Sequence, residues 1–480
     1  MSVIHESAKS SIPENEKVPL RTKAAWGCGG LADNFMFNIL MMLGMLIYVD
    51  HFRLSPTLAG FALFVPRFVD AITDPWIGNY SDNFKSKWGR RKPFIFVGVL
   101  LSAIILPFLW TPVMLETVGN PWYSNGPFLY LSVVGSLLAV SYTLFVVPYT
   151  ALGFELTPNY DERTRTIAWR MYIGLLASVA GGWLYWLCQR EVFADEGQGA
   201  VWVSAGAAVL VLIFGWMPVF FCKETVEIES QPPIKLFDAV RFSFTNKPFM
   251  ILMVAYLVVI MSIFVTSGVF PFLIIYGVFE GNKGNFGEFQ GYMITMGSAI
   301  SYVSMWVITA ISLRSSKRWA MLVGLGFIFL GMLTYWFAID PRWPWMMYVA
   351  AFVSFMGMQG CWLMVDSMVA DVCDADELRT GLRREGMFGA VKGFALKLAQ
   401  AITSAVGGYM IALAGFDPDV ANDTGVPEDV IFNMKAMVVG VTCIGLVVAA
   451  IVMWFYPISR EAAVRTQEAL AKKRDENDVT

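Results

Sequence analysis

The segment Arg67-Phe68-Val69-Asp70-Ala71-Ile72-Thr73-Asp74-Pro75 carries two carboxylates four residues apart inside a long apolar stretch. On a helix that spacing puts both on one face. A charge near the middle of a bilayer costs about 2.5 kcal/mol or more on insertion scales, so two on one face require a cation, a proton or an arginine between them. Asp70 and Asp74 are therefore the first candidates for an ion site. Arg67, one turn before Asp70, offers a competing reading in which an internal ion pair locks the helix, and both can hold at different stages of a cycle.

The elements that position this pair follow from composition. Of 480 residues, 56% are hydrophobic and 15% charged, whereas a soluble chain carries about a quarter charged residues. The chain reads as a polytopic all-α membrane protein. Windows of about 20 residues place twelve spans near 24–49, 57–80, 94–115, 127–154, 167–189, 200–222, 248–279, 288–313, 318–338, 343–372, 387–415 and 430–457. Of the 35 Lys and Arg, only Arg53, Arg190, Lys283 and Arg342 fall in one set of loops. Arg67, Arg170, Lys392, Lys397 and Lys435 fall inside spans, and the rest lie in the opposite loops and tails. The positive-inside rule then sets both termini in the cytoplasm. The first span follows 23 polar residues and contains Asp33, unlike a cleaved signal peptide, and is expected to be retained.

The six cysteines form no CxxC pair and read as small packing residues. With His5 in the tail and His51 in an outer loop, histidine cannot relay protons through the spans, and carboxylates must do any proton work. No HExxH or GxSxG motif supports a membrane-embedded enzyme. The stretch 223–247, with Pro232-Pro233, divides the spans six and six. The expected organisation is a cytoplasmic tail 1–23, a six-helix bundle 24–222, a linker 223–247, a second bundle 248–457 and a cytoplasmic tail 458–480. Ser86-Lys87-Trp88-Gly89-Arg90-Arg91 before the third span is faintly echoed by Ser316-Lys317-Arg318-Trp319 before the ninth. Such a chain suits alternating access around a midplane site.

Two motifs carry a closer likeness. The first runs from Arg67 to Pro75 and on through Gly78 and Asp82 to Trp88-Gly89-Arg90-Arg91-Lys92-Pro93. The second runs from Ala370-Asp371-Val372-Cys373-Asp374-Ala375-Asp376-Glu377 through Leu378-Arg379-Thr380-Gly381 to Arg384-Glu385-Gly386. Over nearly its whole length the chain resembles the glycoside-pentoside-hexuronide:cation symporters of the major facilitator superfamily, the family of the melibiose permease. The resemblance implies a fold of two six-helix bundles and symport of a sugar or sugar acid with Na⁺ or H⁺, with no other cofactor. Asp70 and Asp74, with Thr73 between them and Thr143 on the fourth span, supply the hard oxygen ligands that Na⁺, Li⁺ or H⁺ needs. A first-span family aspartate aligns with Asn34, a position beside Asp33, which points about 100° away on a helix. Tyr142, Thr143 and Tyr149 match the fourth span, while the permease's sugar-binding aspartate corresponds to Val146.

On the substrate side, Arg170 resembles a cavity arginine and suits an anionic sugar such as a hexuronide. Lys397, twelve residues after Glu385, resembles the eleventh-span lysine and can pair with Asp70 or Asp74 when the cation is absent, whereas Lys392 sits nearer the cytoplasm and can snorkel. Trp362 suits stacking on a sugar face. Asp366, one turn later, is an additional acid that can read a hydroxyl or carry a proton. Asp82 with Arg90 and Arg91, and Asp371, Asp374, Asp376 and Glu377 with Arg379, Arg383 and Arg384, can form cytoplasmic ion-pair clusters that gate the inner side. The expected partners are a small-molecule substrate and membrane lipids but no nucleic acid. The expected location is a multi-pass position in the cytoplasmic (inner) membrane of a bacterial cell, as a monomer. The rival function is a carrier of lysolipids or other amphiphiles within the same superfamily.

Overall fold

A bilayer leaves backbone groups no water to bind, so a chain of this composition must satisfy them within helices. In the computed structural model, which describes residues 17–112, 125–157, 160–224, 245–381, 384–423 and 425–478, every element is helical. Most of the expected linker, the tail before residue 17 and Arg383 lie outside the described residues.

The first half comprises α1 (Leu20–Leu46, continued by a π-helical turn at Ile47–His51), α2 (Pro56–Asn83), α3 (Lys92–Phe108) and α4 (Gly126–Glu155). It continues through α5 (Tyr160–Gly182), the short α6 (Leu184–Cys188) and α7 (Glu196–Phe221). The second half comprises α8 (Lys247–Ser267), α9 (Phe270–Gly277), α10 (Lys283–Arg314), α11 (Lys317–Ala338) and α12 (Met346–Thr380). It is completed by α13 (Glu385–Leu413), α14 (Pro418–Asp423), α15 (Glu428–Trp454) and α16 (Arg460–Asp478). Every expected span is met by helix. Nine helices among the described residues are long and apolar enough to cross a membrane; α3 is apolar but shorter, and α2 and α5 carry the charges singled out above.

Several ends differ from expectation, because a hydropathy window stops at the first charges whereas a helix continues into the headgroup layer. The tenth span, expected over 343–372, is met by a helix that runs on to Thr380, where Gly381, at φ 72°, donates its N–H to the Glu377 carbonyl at 2.8 Å. A left-handed glycine closes a helix at little cost. The seventh span, expected as one element over 248–279, breaks at Gly268-Val269, with Pro271 starting α9. The tail expected from 458 carries the helix α16.

The two halves meet along α2 with α13, and along α5 and α6 with α10. The α2–α13 seam is a wedge. At its outer end the backbones touch: a Cβ on Gly408 would lie 2.2 Å from the Pro56 carbonyl oxygen and 2.8 Å from the Gly60 Cα. Toward the cytoplasm the same face of α13 opens, and a Cβ on Gly389 or Gly393 would meet nothing within 4 Å. Charges tie the outer end as well. The π-helical turn aims buried Asp50 at Lys283 and at the Tyr276 hydroxyl, which donates to it at 3.3 Å, and Arg53 pairs with Asp419 at 2.7 Å. Both pairs link the first half to the second, whereas the described cytoplasmic ion pairs stay within one half. The two halves are therefore tied together at the outer end of the seam.

Gly408→Val forces α2 and α13 apart where only backbone can yield. The expected result is a shift toward the outward-open form, read as a fall of about tenfold in maleimide labelling of a Gly393→Cys reporter in inside-out vesicles. Unchanged labelling contradicts the close-packed outer seam.

Candidate functional site

Pro66 and Pro75 bracket the charged segment of α2. Neither can donate a backbone hydrogen bond, so the carbonyls of Ala62 and Ala71 lose their partners one turn back. Between them the helix presents Arg67, Asp70 and Asp74 toward the bundle. Asp70 is 1% exposed. Its Oδ1 accepts from the Thr143 hydroxyl of α4 at 2.7 Å and its Oδ2 lies 3.0 Å from the Lys397 Nζ of α13. Lys397 also pairs with Asp74 Oδ2. One ammonium from the second half thus bridges two carboxylates of the first.

Thr73 donates to the Val69 carbonyl at 3.0 Å and sits 3.3 Å from the Thr143 hydroxyl. Asp74 Oδ1 is buried without a hydrogen-bond partner. An orphaned carboxylate oxygen beside a second carboxylate and two hydroxyls is a donor set for a monovalent cation or a proton. Among the described residues no three His, Cys, Asp or Glu converge as a multivalent metal site would need. Arg67 is buried beside Asp70 and Tyr142 around a cavity of about 20 Å³, room for roughly one water.

A second polar centre lies across α1, α4 and α5. Asp33 accepts from the Tyr142 hydroxyl at 2.8 Å and pairs with the Arg170 guanidinium at 2.7 Å. Arg170 lies over the rings of Tyr149 and Trp26, 5.2 and 5.9 Å from their centroids. Asn34 faces elsewhere: its amide donates to the Gly30 carbonyl at 2.8 Å, and its oxygen accepts from Ser178 of α5 at 3.5 Å. Neither contact brings it to the aspartate pair. Tyr149 is fully buried, donates to the Trp26 carbonyl at 2.7 Å and stacks on Phe145. It supports Arg170 from behind.

In the second half, Trp362 of α12 meets Tyr256 of α8 edge to face at 5.6 Å. Asp366 pairs with Lys392 of α13, whose ammonium sits 5.7 Å from the Tyr256 ring centroid. Lys392 therefore points at a span carboxylate, not at the headgroup layer where snorkelling would send it.

The expected gating residues divide between the halves. Arg91 joins Asp82 at 2.8 Å, and Arg90 and Arg91 both hold Glu155 at 2.5 and 2.8 Å. Glu224 accepts the backbone N–H groups of Arg90 and Arg91 at 2.8 and 2.9 Å. On the other side Lys317 holds Asp371 at 2.7 Å, Asp376 takes Arg379 at 3.0 Å and Arg384 at 3.8 Å, and Asp374 accepts from Gln467 of α16 at 3.4 Å. Glu377 is half-buried on the last turn of α12.

Sequence reasoning passed over Glu155, Glu224 and the outer set Asp50, Lys283, Arg53 and Asp419. Their only signal was acids and bases near span ends, and the pairings join residues far apart in the chain.

The model of the MFS/sugar transport protein family matches residues 25–460. The glucuronide carrier protein homolog of Escherichia coli (strain K12) is 24% identical, covering 93% of this chain and 94% of its own. The isoprimeverose transporter of Lactiplantibacillus pentosus is 24% identical, covering 94% and 91%. Among solved structures the D-xylose-proton symporter superposes with a TM-score of 0.66 at 13% identity, over 91% of this chain and 98% of its own, a likeness of fold. A family match over nine-tenths of the chain, with the first hallmark segment carrying the bridged aspartates and the second a cytoplasmic ion-pair cluster, makes this multi-pass membrane protein a transporter of the MFS/sugar transport protein family, within the glycoside-pentoside-hexuronide:cation symporters.

Proposed function

We propose that the protein imports a sugar or sugar derivative by cation-coupled symport, with Asp70 and Asp74 as the ion site and Lys397 as the coupling group. The observation that carries this reading is the Lys397 ammonium between the two carboxylates. Two acids share the Lys397 ammonium and the Arg67 guanidinium lies beside Asp70, so the set is balanced before a cation enters. A cation entering the pair competes with Lys397 for the same oxygens and releases the ammonium toward the cavity. Binding there changes the equilibrium between closed and open seams only through such differential contact. Thr143 fixes the Asp70 carboxylate and Thr73 adds a further oxygen. Arg170, held on Asp33, and Trp362 line the sugar side.

In the transport cycle the seam then closes along the cytoplasmic half of α2 and α13 and opens outside. Opening the outer end breaks Asp50–Lys283 and Arg53–Asp419. The Arg53–Asp419 pair is exposed and is worth about 0–1 kcal/mol, a contact made and broken easily in each turnover.

Lys397→Ala removes the competitor. The expected result is cation affinity raised about tenfold, about 1.4 kcal/mol, while the imposed cation gradient no longer drives sugar accumulation in proteoliposomes. Ion-driven accumulation at the unmodified level contradicts the coupling role. Asp74→Asn should abolish cation-stimulated uptake yet leave labelled sugar exchange across the membrane measurable. Uptake of a panel of sugars and sugar acids, with and without Na⁺ at two pH values, tests the whole reading. If no substrate accumulates against its gradient under any ion, symport is wrong.

A further inference from the structure

The charges of the cavity reach further, to the class of sugar, and this step rests on the transport reading above. Four acids, Asp33, Asp70, Asp74 and Asp366, face four bases, Arg67, Arg170, Lys392 and Lys397, in the interior of the two halves. The empty cavity is therefore balanced. One coupling cation makes it positive by one unit, and enclosing a net charge away from water is costly. A neutral sugar leaves that charge uncompensated, whereas a monoanionic sugar cancels it.

Exposure decides which base takes the anion. The Asp33 side chain is 14% exposed and holds two donors, Tyr142 and Arg170, so the Arg170 pair is fixed. Asp366 is 64% exposed and has Lys392 as its partner. It lies five residues, about 7.5 Å, deeper along α12 than Asp371, whose partner Lys317 begins α11. A carboxylate that exposed at such depth faces a watered cavity and not hydrocarbon. Displacing it costs little, because water solvates it once released. The buried Tyr256 ring lies beneath the ammonium, and Trp362 packs edge to face against that ring, so the Lys392 ammonium is held in place from below.

We infer that Lys392 is the anion-recognition residue, and that the substrate is a carboxylate-bearing sugar whose carboxylate replaces that of Asp366 on the Lys392 ammonium. Asp366 then acts as a resident counter-ion that keeps Lys392 compensated between substrates and sets a threshold against weakly bound neutral sugars.

The test uses matched pairs in proteoliposomes, p-nitrophenyl β-D-glucuronide against the glucoside, and galacturonate against galactose, as competitors and as labelled substrates. The expected result is a preference for the acidic member of at least one pair by about tenfold or more. Lys392→Gln should lose that preference through a raised KM for the acid, and Asp366→Asn should lower that KM by removing the internal competitor. Should Lys392→Gln fail to fold, the sign of the Asp366→Asn change decides. Accumulation of the neutral member as readily as the acid, or an unchanged preference in Lys392→Gln, overturns the inference while leaving symport intact. No transport of either member by any cation gradient overturns the transport reading itself.

Discussion

The structure depends on one electrostatic constraint: Asp70 and Asp74, one turn apart on α2, must be compensated away from water. The compensation comes from Lys397, 323 residues beyond Asp74 and in the other half of the molecule. Removing one partner of a buried pair costs about 3–5 kcal/mol, so the two halves cannot separate at this level unless another cation takes the ammonium's place. The wedge follows from this. Glycines 60 and 408 let α2 and α13 touch outside, and the same faces diverge below the ion pair, where Gly389 and Gly393 leave open space. The pair is thus the fulcrum of the seam.

The ends of the molecule are built differently from the centre. Outside, a buried aspartate on a π-helical turn and an exposed arginine tie one half to the other. Inside, Glu155, Glu224, Asp371 and Asp376 gather the neighbouring basic residues of their own half. The ion pairs described in each cytoplasmic cluster join residues of one half. π-helical turns recur at functional sites, and this one carries the buried acid of the outer pair between the halves.

Much of this was legible in local sequence, for physical reasons. Apolar runs of span length admit one backbone solution, and a four-residue spacing of acids has one meaning on a helix. Lys397 is matched to the pair through its likeness to the family's eleventh-span lysine, twelve residues after Glu385, and an ammonium inside a span needs an acid to compensate it. The pairing of Asp33 with Arg170 was less direct: both were named, but their contact depends on how α1 and α5 pack. Tyr149 matches the fourth-span pattern, and the structure buries it under Arg170. Asn34 turns to its own helix and to Ser178, because one residue of offset rotates a side chain by about 100°. The Lys392–Asp366 pair and the outer Asp50–Lys283 pair join elements whose approach no local pattern encodes. Helix ends depart from the hydropathy windows wherever charged turns continue past the apolar run, as at Thr380 and Arg460.

The central claim is that the coupling cation and the Lys397 ammonium compete for one pair of carboxylates. A direct measure is the distance between Lys397 Nζ and Asp74 Cγ by ¹⁵N–¹³C dipolar solid-state NMR in bilayers, assigned with Asp74→Asn. The contact should be present without the coupling ion and vanish as Na⁺, or protons at low pH, saturate transport. A contact that persists unchanged at ion concentrations that drive full uptake contradicts the account.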